Sequence, residues 1–138
     1  MRISRKQVIG IAAGVGALVL AGALFAQATA IKRTIVATQD VSVPGREGVV
    51  ASVEIAAGGV VGWHTHPGDE LSYVMDGEGE LLIAGKPPQK VKAGDGFVIP
   101  AGTVHSARNP GSTPIKLVGV YVVEKGKPLA SPAPAPAQ

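Results

Sequence analysis

The chain has 138 residues, which is enough for one small domain with additional segments at its ends. Hydrophobic residues make up 46% and charged residues 17%, which excludes a fully disordered chain; 19 glycines and 11 prolines favour short strands and turns over a helical bundle. The chain has no cysteine, which excludes disulfides, cysteine-ligated metal centres and a cysteine nucleophile.

The formal net charge of +3 comes from residues 1–30, which contain Arg2, Arg5 and Lys6 and no acidic residue. The rest of the chain has equal numbers of basic and acidic side chains, spread along its length. A neutral domain of this kind lacks the basic patch on which nucleic-acid binding depends, so we expect no nucleic-acid partner.

Residues 1–30 have the three parts of a secretory signal peptide. A basic start precedes an uncharged, largely apolar run from Val8 to Phe25, and small residues then form two Ala-x-Ala cleavage sites, which end at Ala28 and Ala30. We therefore expect cleavage after one of these alanines and export to the periplasm or beyond the cell, with no membrane contact of the mature domain. The alternative is a retained N-terminal membrane anchor, because the apolar run is near the lower length limit for crossing a bilayer.

From Ile31 onward, apolar and β-branched runs alternate with turns rich in glycine and proline, and no segment keeps a helical period. Residues 49–56 show the two-residue period of a half-buried strand. The predicted strands cover residues 32–38, 48–56, 60–66, 70–77, 79–84, 88–92, 96–100, 104–109 and 115–124. Many short strands at close spacing predict an all-β fold in residues 31–125, a small jelly-roll β-barrel.

Residues 126–138 read GKPLASPAPAPAQ, a proline- and alanine-rich tract in which only Leu129 is a core-forming residue. This composition is typical of an extended, disordered tail. A proline-binding partner is the alternative, but a solvated tail is the expectation for so short a segment.

The three histidines of the chain are candidates for one metal site. On a strand, His64 and His66 point the same way, close enough for both imidazoles to reach one ion. If residues 67–69 form a three-residue hairpin loop, Glu70 lies opposite His66 and Ser72 lies opposite His64. The alternative is that these are ordinary surface residues of a strand, because short motifs often match by chance.

The spacing around the histidines resembles the two signature motifs of the cupin superfamily. Residues 58–77 read G-x5-H-x-H-x3-E-x6-G, and residues 94–109 read G-x5-P-x-G-x2-H-x3-N, which includes His105. Both patterns match at every defining position. Together the motifs extend over about half of the chain after residue 30, which makes a chance match improbable.

This resemblance implies a small jelly-roll barrel, also called a double-stranded β-helix, with a metal ion at its centre. Carried over position by position, His64, His66, Glu70 and His105 would be the metal ligands. Three neutral imidazoles and a carboxylate suit one divalent transition metal ion (Fe, Mn, Ni, Cu or Zn) and leave positions open for water or substrate. We interpret the motif glycines and Pro100 as turn residues.

The residues around the predicted site bear on its chemistry. The face that carries Glu70 continues to Gly62 and Val74, so the lining is expected to be small and apolar, and no second carboxylate is placed as a general base. We therefore expect a metal-dependent oxidoreductase of the dioxygenase type, in which O2 and an enol- or phenol-like small molecule occupy the open metal positions. Glu70 would be the fourth ligand, or would leave the metal and act as the catalytic base. The alternative is a non-catalytic cupin module that binds a metal or a small ligand.

The position of each aromatic residue along its predicted strand indicates which face of the sheet its side chain lies on. Trp63, Tyr73 and Phe97 are expected in the core or in an interface and not as contacts to a substrate. For Tyr121, on the last predicted strand, the sequence does not decide between these two roles. The resemblance also implies a homodimer and a small-molecule ligand or substrate as the partners of the domain.

Overall fold

A computed structural model describes residues 30–137 of the chain. This part of the chain contains ten strands and no helix, and therefore no helix that is long and apolar enough to cross a membrane. Apart from Ala30, the predicted signal peptide lies outside the described residues.

The strands form two antiparallel sheets of five strands each. In chain order the strands are β1 (Ile31–Asp40), β2 (Arg46–Ile55), β3 (His64–Thr65), β4 (Gly68–Asp76), β5 (Glu78–Ile83), β6 (Gln89–Lys92), β7 (Gly96–Ile99), β8 (His105–Arg108), β9 (Ile115–Glu124) and β10 (Ser131–Pro132). The first sheet has the order β1-β2-β9-β4-β7 and the second has the order β10-β3-β8-β5-β6. The predicted all-β jelly roll is confirmed.

The inner faces of the sheets form one apolar core, because successive strand residues point to opposite sides of a sheet. The alternation predicted for residues 49–56 is observed: Val49, Ala51, Val53 and Ile55 are all buried. β9 repeats the pattern on the neighbouring strand. The rest of the core comprises Val61, Val74, Leu81, Val91, Ile99, Ile115, Leu117, Tyr121 and Val123.

The inner face of β4 carries polar groups into this core. Glu70 and Ser72 are buried on the same face as Val74. Gly68 begins the strand, and a side chain there would overlap the carbonyl oxygen of Val122 on β9, so the two backbones lie unusually close. Burying a carboxylate and a hydroxyl destabilises the fold unless both have partners, so this end of β4 is a candidate functional site.

All but one of the predicted strands coincide with an observed strand over most of their length; the exception is residues 60–66. Only His64 and Thr65 form a strand there, while Val60 makes an isolated bridge to Arg108. Pro67 has no N–H to donate to a ladder, so the strand ends before it.

The predicted hairpin between residues 66 and 70 is also wrong. β3 belongs to the second sheet and β4 to the first, so the chain crosses between the sheets at this point. Ser72 therefore does not lie opposite His64 but pairs with Phe97 on β7 and Gly119 on β9. β7 and β9 supply β4 with two long-range neighbours, and the local spacing around residue 67 gives no sign of them.

The interpretation of the motif glycines as turn residues is confirmed. Gly58, Gly77, Gly94 and Gly102 have φ values of 70°, 81°, 93° and 71°, a region that favours glycine. The last residue of the second motif, Asn109, is buried, and its side-chain amide donates to carbonyls of β2 and of the following loop. This asparagine holds the loop after β8 and takes no part in the site.

The C-terminal tail, residues 126–137, differs from the disordered segment predicted from its composition. Ser131 and Pro132 pair with Thr65 and His64 of β3, and the Ala133 N–H donates to the Trp63 carbonyl at 2.9 Å. β3 leaves one side of its short ladder open, and proline is tolerated in a strand at a sheet edge. Composition alone could not show that another part of the chain offers this edge.

Candidate metal centre

The fold brings the four predicted ligands together between the two sheets. His64 and His105 are direct cross-strand neighbours in the second sheet, while His66 lies on the crossing to the first sheet, which carries Glu70. Each histidine offers one nitrogen, and these three atoms all lie within 4.8 Å of one another. Glu70 Oε2 lies 2.9 Å from His66 Nε2 and 3.3 Å from His105 Nε2. The four side chains therefore converge on a single point.

Backbone carbonyls orient all three imidazole rings. A carbonyl oxygen can only accept a hydrogen bond, so each Nδ1 that contacts one carries the proton, and the Nε2 of the neutral ring keeps its lone pair for a metal. The pairs are His64 Nδ1 with Gly62 O at 2.8 Å, His66 Nδ1 with Leu129 O at 2.6 Å, and His105 Nδ1 with Thr103 O at 2.8 Å.

The pKa values of His64 and Glu70 also suit a cation. Burial favours the neutral form of His64 and is the main reason that its pKa falls to about 4, against a hydrogen bond to Gly62 that raises it. Burial would raise the pKa of Glu70, but contacts with His105 and His66 and a hydrogen bond from Ser72 outweigh it and hold the pKa of the carboxyl below its usual range. A carboxylate and neutral imidazoles are the forms that bind metal.

A buried nitrogen without a hydrogen-bond partner indicates that a cation can bind between these side chains. His66 Nε2 is buried and has no hydrogen-bond partner in the described part of the chain. When the ring is neutral with its proton on Nδ1, this nitrogen faces Glu70 Oε2 as one acceptor facing another at 2.9 Å. A divalent cation between them would satisfy both atoms, so the donor set fits the expected metal ion.

The site opens into a small, mainly apolar cavity of about 50 Å³. That volume has room for a few water molecules or a comparably small group. Its walls include Val53, Ile99 and Ala107, so the lining is mainly apolar as expected. Gly62 and Val74, which the sequence placed on this face, do not line it, and the larger side chains of Phe97 and Tyr121 do. His64 is half-buried whereas the other three candidate ligands are buried, so the site is reached from the His64 side.

Two cavity residues were not assigned to the site by the sequence. Arg33 of β1 is half-buried, lines the cavity, and has a buried Nε without a hydrogen-bond partner among the described residues. Tyr121 is buried, with its ring centroid 4.8 Å from that of His66. Burial, together with the charge of Glu70, raises the pKa of Tyr121 to about 12, so its hydroxyl stays protonated at neutral pH. Arg33 shares a strand face with the core residue Ile31, the one sequence signal that could have identified it.

The other aromatic residues lie as follows. Tyr73 is 53% exposed on the outer face of the first sheet, and Trp63 lies beside the tail. Phe97 packs against the core as expected, and it also lines the cavity. Leu71 and Val98 pair directly on the outer face near Tyr73, and both are exposed. The homodimer expected from the family resemblance stays a prediction.

The chain belongs to the cupin family. The family model for the cupin domain matches residues 51–123, a stretch that contains all four candidate ligands, and this confirms the resemblance seen in the motifs. Among solved structures, an uncharacterised protein with a double-stranded β-helix domain from Klebsiella pneumoniae is similar, with a TM-score of 0.65 and 25% identity. The alignment covers 78% of this chain and 87% of that chain.

Two relatives have names that describe an activity. Dimethylsulfoniopropionate lyase DddQ of Ruegeria pomeroyi is 36% identical over 56 residues, which cover 41% of this chain and 28% of the lyase. Its crystal structure aligns with a TM-score of 0.55 at 26% identity, over 59% of this chain and 41% of that chain. Acireductone dioxygenase of Rhodopseudomonas palustris is 37% identical over 59 residues, 41% of this chain and 36% of the dioxygenase. The matches span less than half the length of either relative.

Acidification should destabilise the metal-free protein. The unfolded chain binds a proton at His64 near pH 6.5, but the folded protein does so only near pH 4, so stability is lost as the pH falls through that interval. The depressed pKa of Glu70 has the same sign and adds a further loss at lower pH. Melting temperatures of the metal-free protein between about pH 8 and pH 2 measure both losses.

The His64→Gln variant is the control for that experiment. It should flatten the pH dependence between about pH 6.5 and pH 4 and leave the loss at lower pH in place. An unchanged slope in the variant would assign the loss to other groups.

Proposed function

We propose that this protein is an exported, metal-dependent oxidoreductase of the dioxygenase type, acting on a small anionic oxygen compound such as an enolate or a phenolate. The observation that carries the proposal is the convergence of three imidazole Nε2 atoms and one ionised carboxylate on an apolar cavity. A redox-active divalent ion held by His64, His66, Glu70 and His105 would supply the one-electron chemistry that reaction with O2 requires.

The cavity offers few groups for proton transfer, which favours this reaction class over one that needs several acids and bases. Glu70 is the only carboxylate among the described residues that line it. Tyr121 is the other ionisable oxygen there, and its pKa of about 12 makes it unable to act as a base at neutral pH. The similarity to acireductone dioxygenase is consistent with this class, while the similarity to a lyase makes proton abstraction by Glu70 the feature to test.

Arg33 supports an anionic substrate. It is the only lysine or arginine among the described residues that line the cavity, and it lies beside Tyr121, whose pKa it lowers against the larger effect of burial. Its Nε is buried and has no hydrogen-bond partner among the described residues, so it can donate to an enolate, phenolate or carboxylate oxygen inside the cavity. Because the cavity is small, we expect the reacting end of the substrate to enter and the rest to stay outside.

Glu70 is held in a geometry that serves both of its proposed roles. Ser72 Oγ donates to Oε1 at 2.7 Å and fixes the carboxylate, while Oε2 points at the imidazoles as a metal ligand would. A Glu70 carboxylate that is not bound to a metal could take a proton from a substrate in the cavity that it lines.

Replacing Glu70 with Gln separates an enzyme from a binding module. Three imidazoles can hold a divalent ion without the carboxylate, so Glu70→Gln should keep much of the metal. It should also lose turnover by about 10²–10⁴-fold if the carboxylate acts as the base. O2 uptake by the metal-loaded protein with flavonoid, diketone and catechol compounds measures turnover, and elemental analysis measures the metal.

Glu54→Gln is the matched control, because Glu54 is exposed on β2 and distant in sequence from the ligands. This control should have wild-type turnover. Wild-type turnover in metal-loaded Glu70→Gln would contradict the base role, and no O2 uptake with any compound by the metal-loaded wild type would favour the non-catalytic module.

Replacing Arg33 with Met should weaken binding of the anionic substrate. Losing a charge-assisted hydrogen bond of about 1.5–3 kcal/mol corresponds to an increase in KM of about 10- to 100-fold. Metal content should not change, and Arg33→Lys should recover part of the loss. Lys32→Met is the control, since Lys32 is the exposed neighbour on the same strand. Equal effects of the two Met variants would exclude a specific role for Arg33.

Export is the remaining part of the proposal, and Ala30 favours one of the two cleavage sites. Ala30 is buried, and its carbonyl accepts a hydrogen bond from the Ala56 N–H at 2.9 Å. Cleavage after Ala28 keeps this contact, whereas cleavage after Ala30 removes it. We expect the intact mass of protein from the native host to show Thr29 at the N-terminus, in a fraction outside the cytoplasm. A membrane-bound species that retains Met1 would show an anchor instead.

A further inference from the structure

The carbonyl that orients His66 comes from a distant part of the chain. His64 and His105 each use the carbonyl of the residue two positions earlier. His66 Nδ1 instead donates to the carbonyl of Leu129, which lies 63 residues later in the tail. Two of the three rings are therefore oriented by their own loops, and the third depends on docking of the tail.

Several contacts hold Leu129 in place. Its side chain is half-buried and packs against the core. The two strand pairs between β10 and β3 follow directly, and the hydrogen bond from Ala133 to the Trp63 carbonyl extends them. The tail is thus fixed to the same strand that carries His64, at the edge of the metal site.

Loss of the Leu129 carbonyl would leave His66 with a competing state. The other tautomer of the neutral ring carries its proton on Nε2, which lies 2.9 Å from Glu70 Oε2, a good distance for a charge-assisted hydrogen bond. In that state Nε2 has no lone pair, and one carboxylate oxygen is occupied by the ring. Two of the four candidate ligand atoms would then satisfy each other, and neither would be free for a metal.

We propose that the docked tail is a positioning element for the metal site: the Leu129 carbonyl keeps His66 in the tautomer that leaves Nε2 free. The proposal rests on the metal site of the proposed function. In it, a proline-rich segment outside both motifs determines the tautomer of one ligand of that site. Metal affinity therefore depends on whether the tail is docked.

The test compares the full-length protein with a variant that lacks residues 129–138. In the metal-free state near pH 8, ¹⁵N NMR of the imidazole nitrogens reports which nitrogen carries the proton. We expect His66 to be protonated on Nδ1 in the full-length protein and on Nε2 in the deletion variant, with His64 and His105 unchanged. The affinity for Zn²⁺, used as the probe, should fall by about 10- to 100-fold, as for loss of an outer-shell partner.

A point variant covers the case in which the deletion variant does not fold. Ala133→Pro removes the N–H that donates to the Trp63 carbonyl and should shift both readouts in the same direction by a smaller amount. Ala135→Pro is the matched control, because it adds a proline to an exposed position of the same tract.

The outcomes separate this proposal from the proposed function. A folded deletion variant with an unchanged His66 tautomer and unchanged Zn²⁺ affinity would overturn the role of the tail, as would equal effects of the two proline variants. Full-length protein that binds no Zn²⁺ would overturn the metal site itself. Zn²⁺ binding that depends on the tail, together with no O2 uptake after loading with redox-active metals, would leave the tail proposal intact and overturn only the dioxygenase.

Discussion

The buried carboxylate of Glu70 is the constraint on which the rest of the site depends. An ionised carboxylate in an apolar core costs several kcal/mol unless its charge is compensated. Ser72 satisfies one oxygen, and the imidazoles of His66 and His105 surround the other. With neutral imidazoles the four side chains carry one negative charge, and Arg33 is the one lysine or arginine among the described residues that line the cavity. A divalent cation bound by these ligands would compensate the carboxylate, and its binding would then stabilise the folded protein.

The sheet topology makes this arrangement possible. Glu70 comes from the first sheet and the pair His64–His105 from the second, and the chain crosses between the sheets at His66. Each ring is then locked by a carbonyl, one of which comes from the tail. Residues near both ends of the described chain therefore contribute to the centre: Arg33 of β1 lines the cavity, and the Leu129 carbonyl contacts His66.

The relatives of this chain include both a lyase and a dioxygenase, so the fold alone does not select a reaction. In the proposed function, the residues that line the cavity would make that selection. Here the walls are apolar, the tyrosine is held in its protonated form, and one guanidinium is available to an anion. In the proposed function, these features would restrict a substrate by size and charge.

The sequence by itself determined the strand alternation in residues 49–56 and the glycine turns. Both depend on residue type and local spacing: side chains alternate along a strand, and glycine accepts positive φ. The four candidate ligands followed from the two family motifs and not from local geometry, because the predicted hairpin between residues 66 and 70 is wrong. Only the tertiary structure decided that β3 and β4 lie in different sheets, that Arg33 and Tyr121 reach the site, and that the tail pairs with β3. These contacts join segments far apart in the chain, and they form because buried polar atoms and open strand edges find partners wherever the packed sheets bring them.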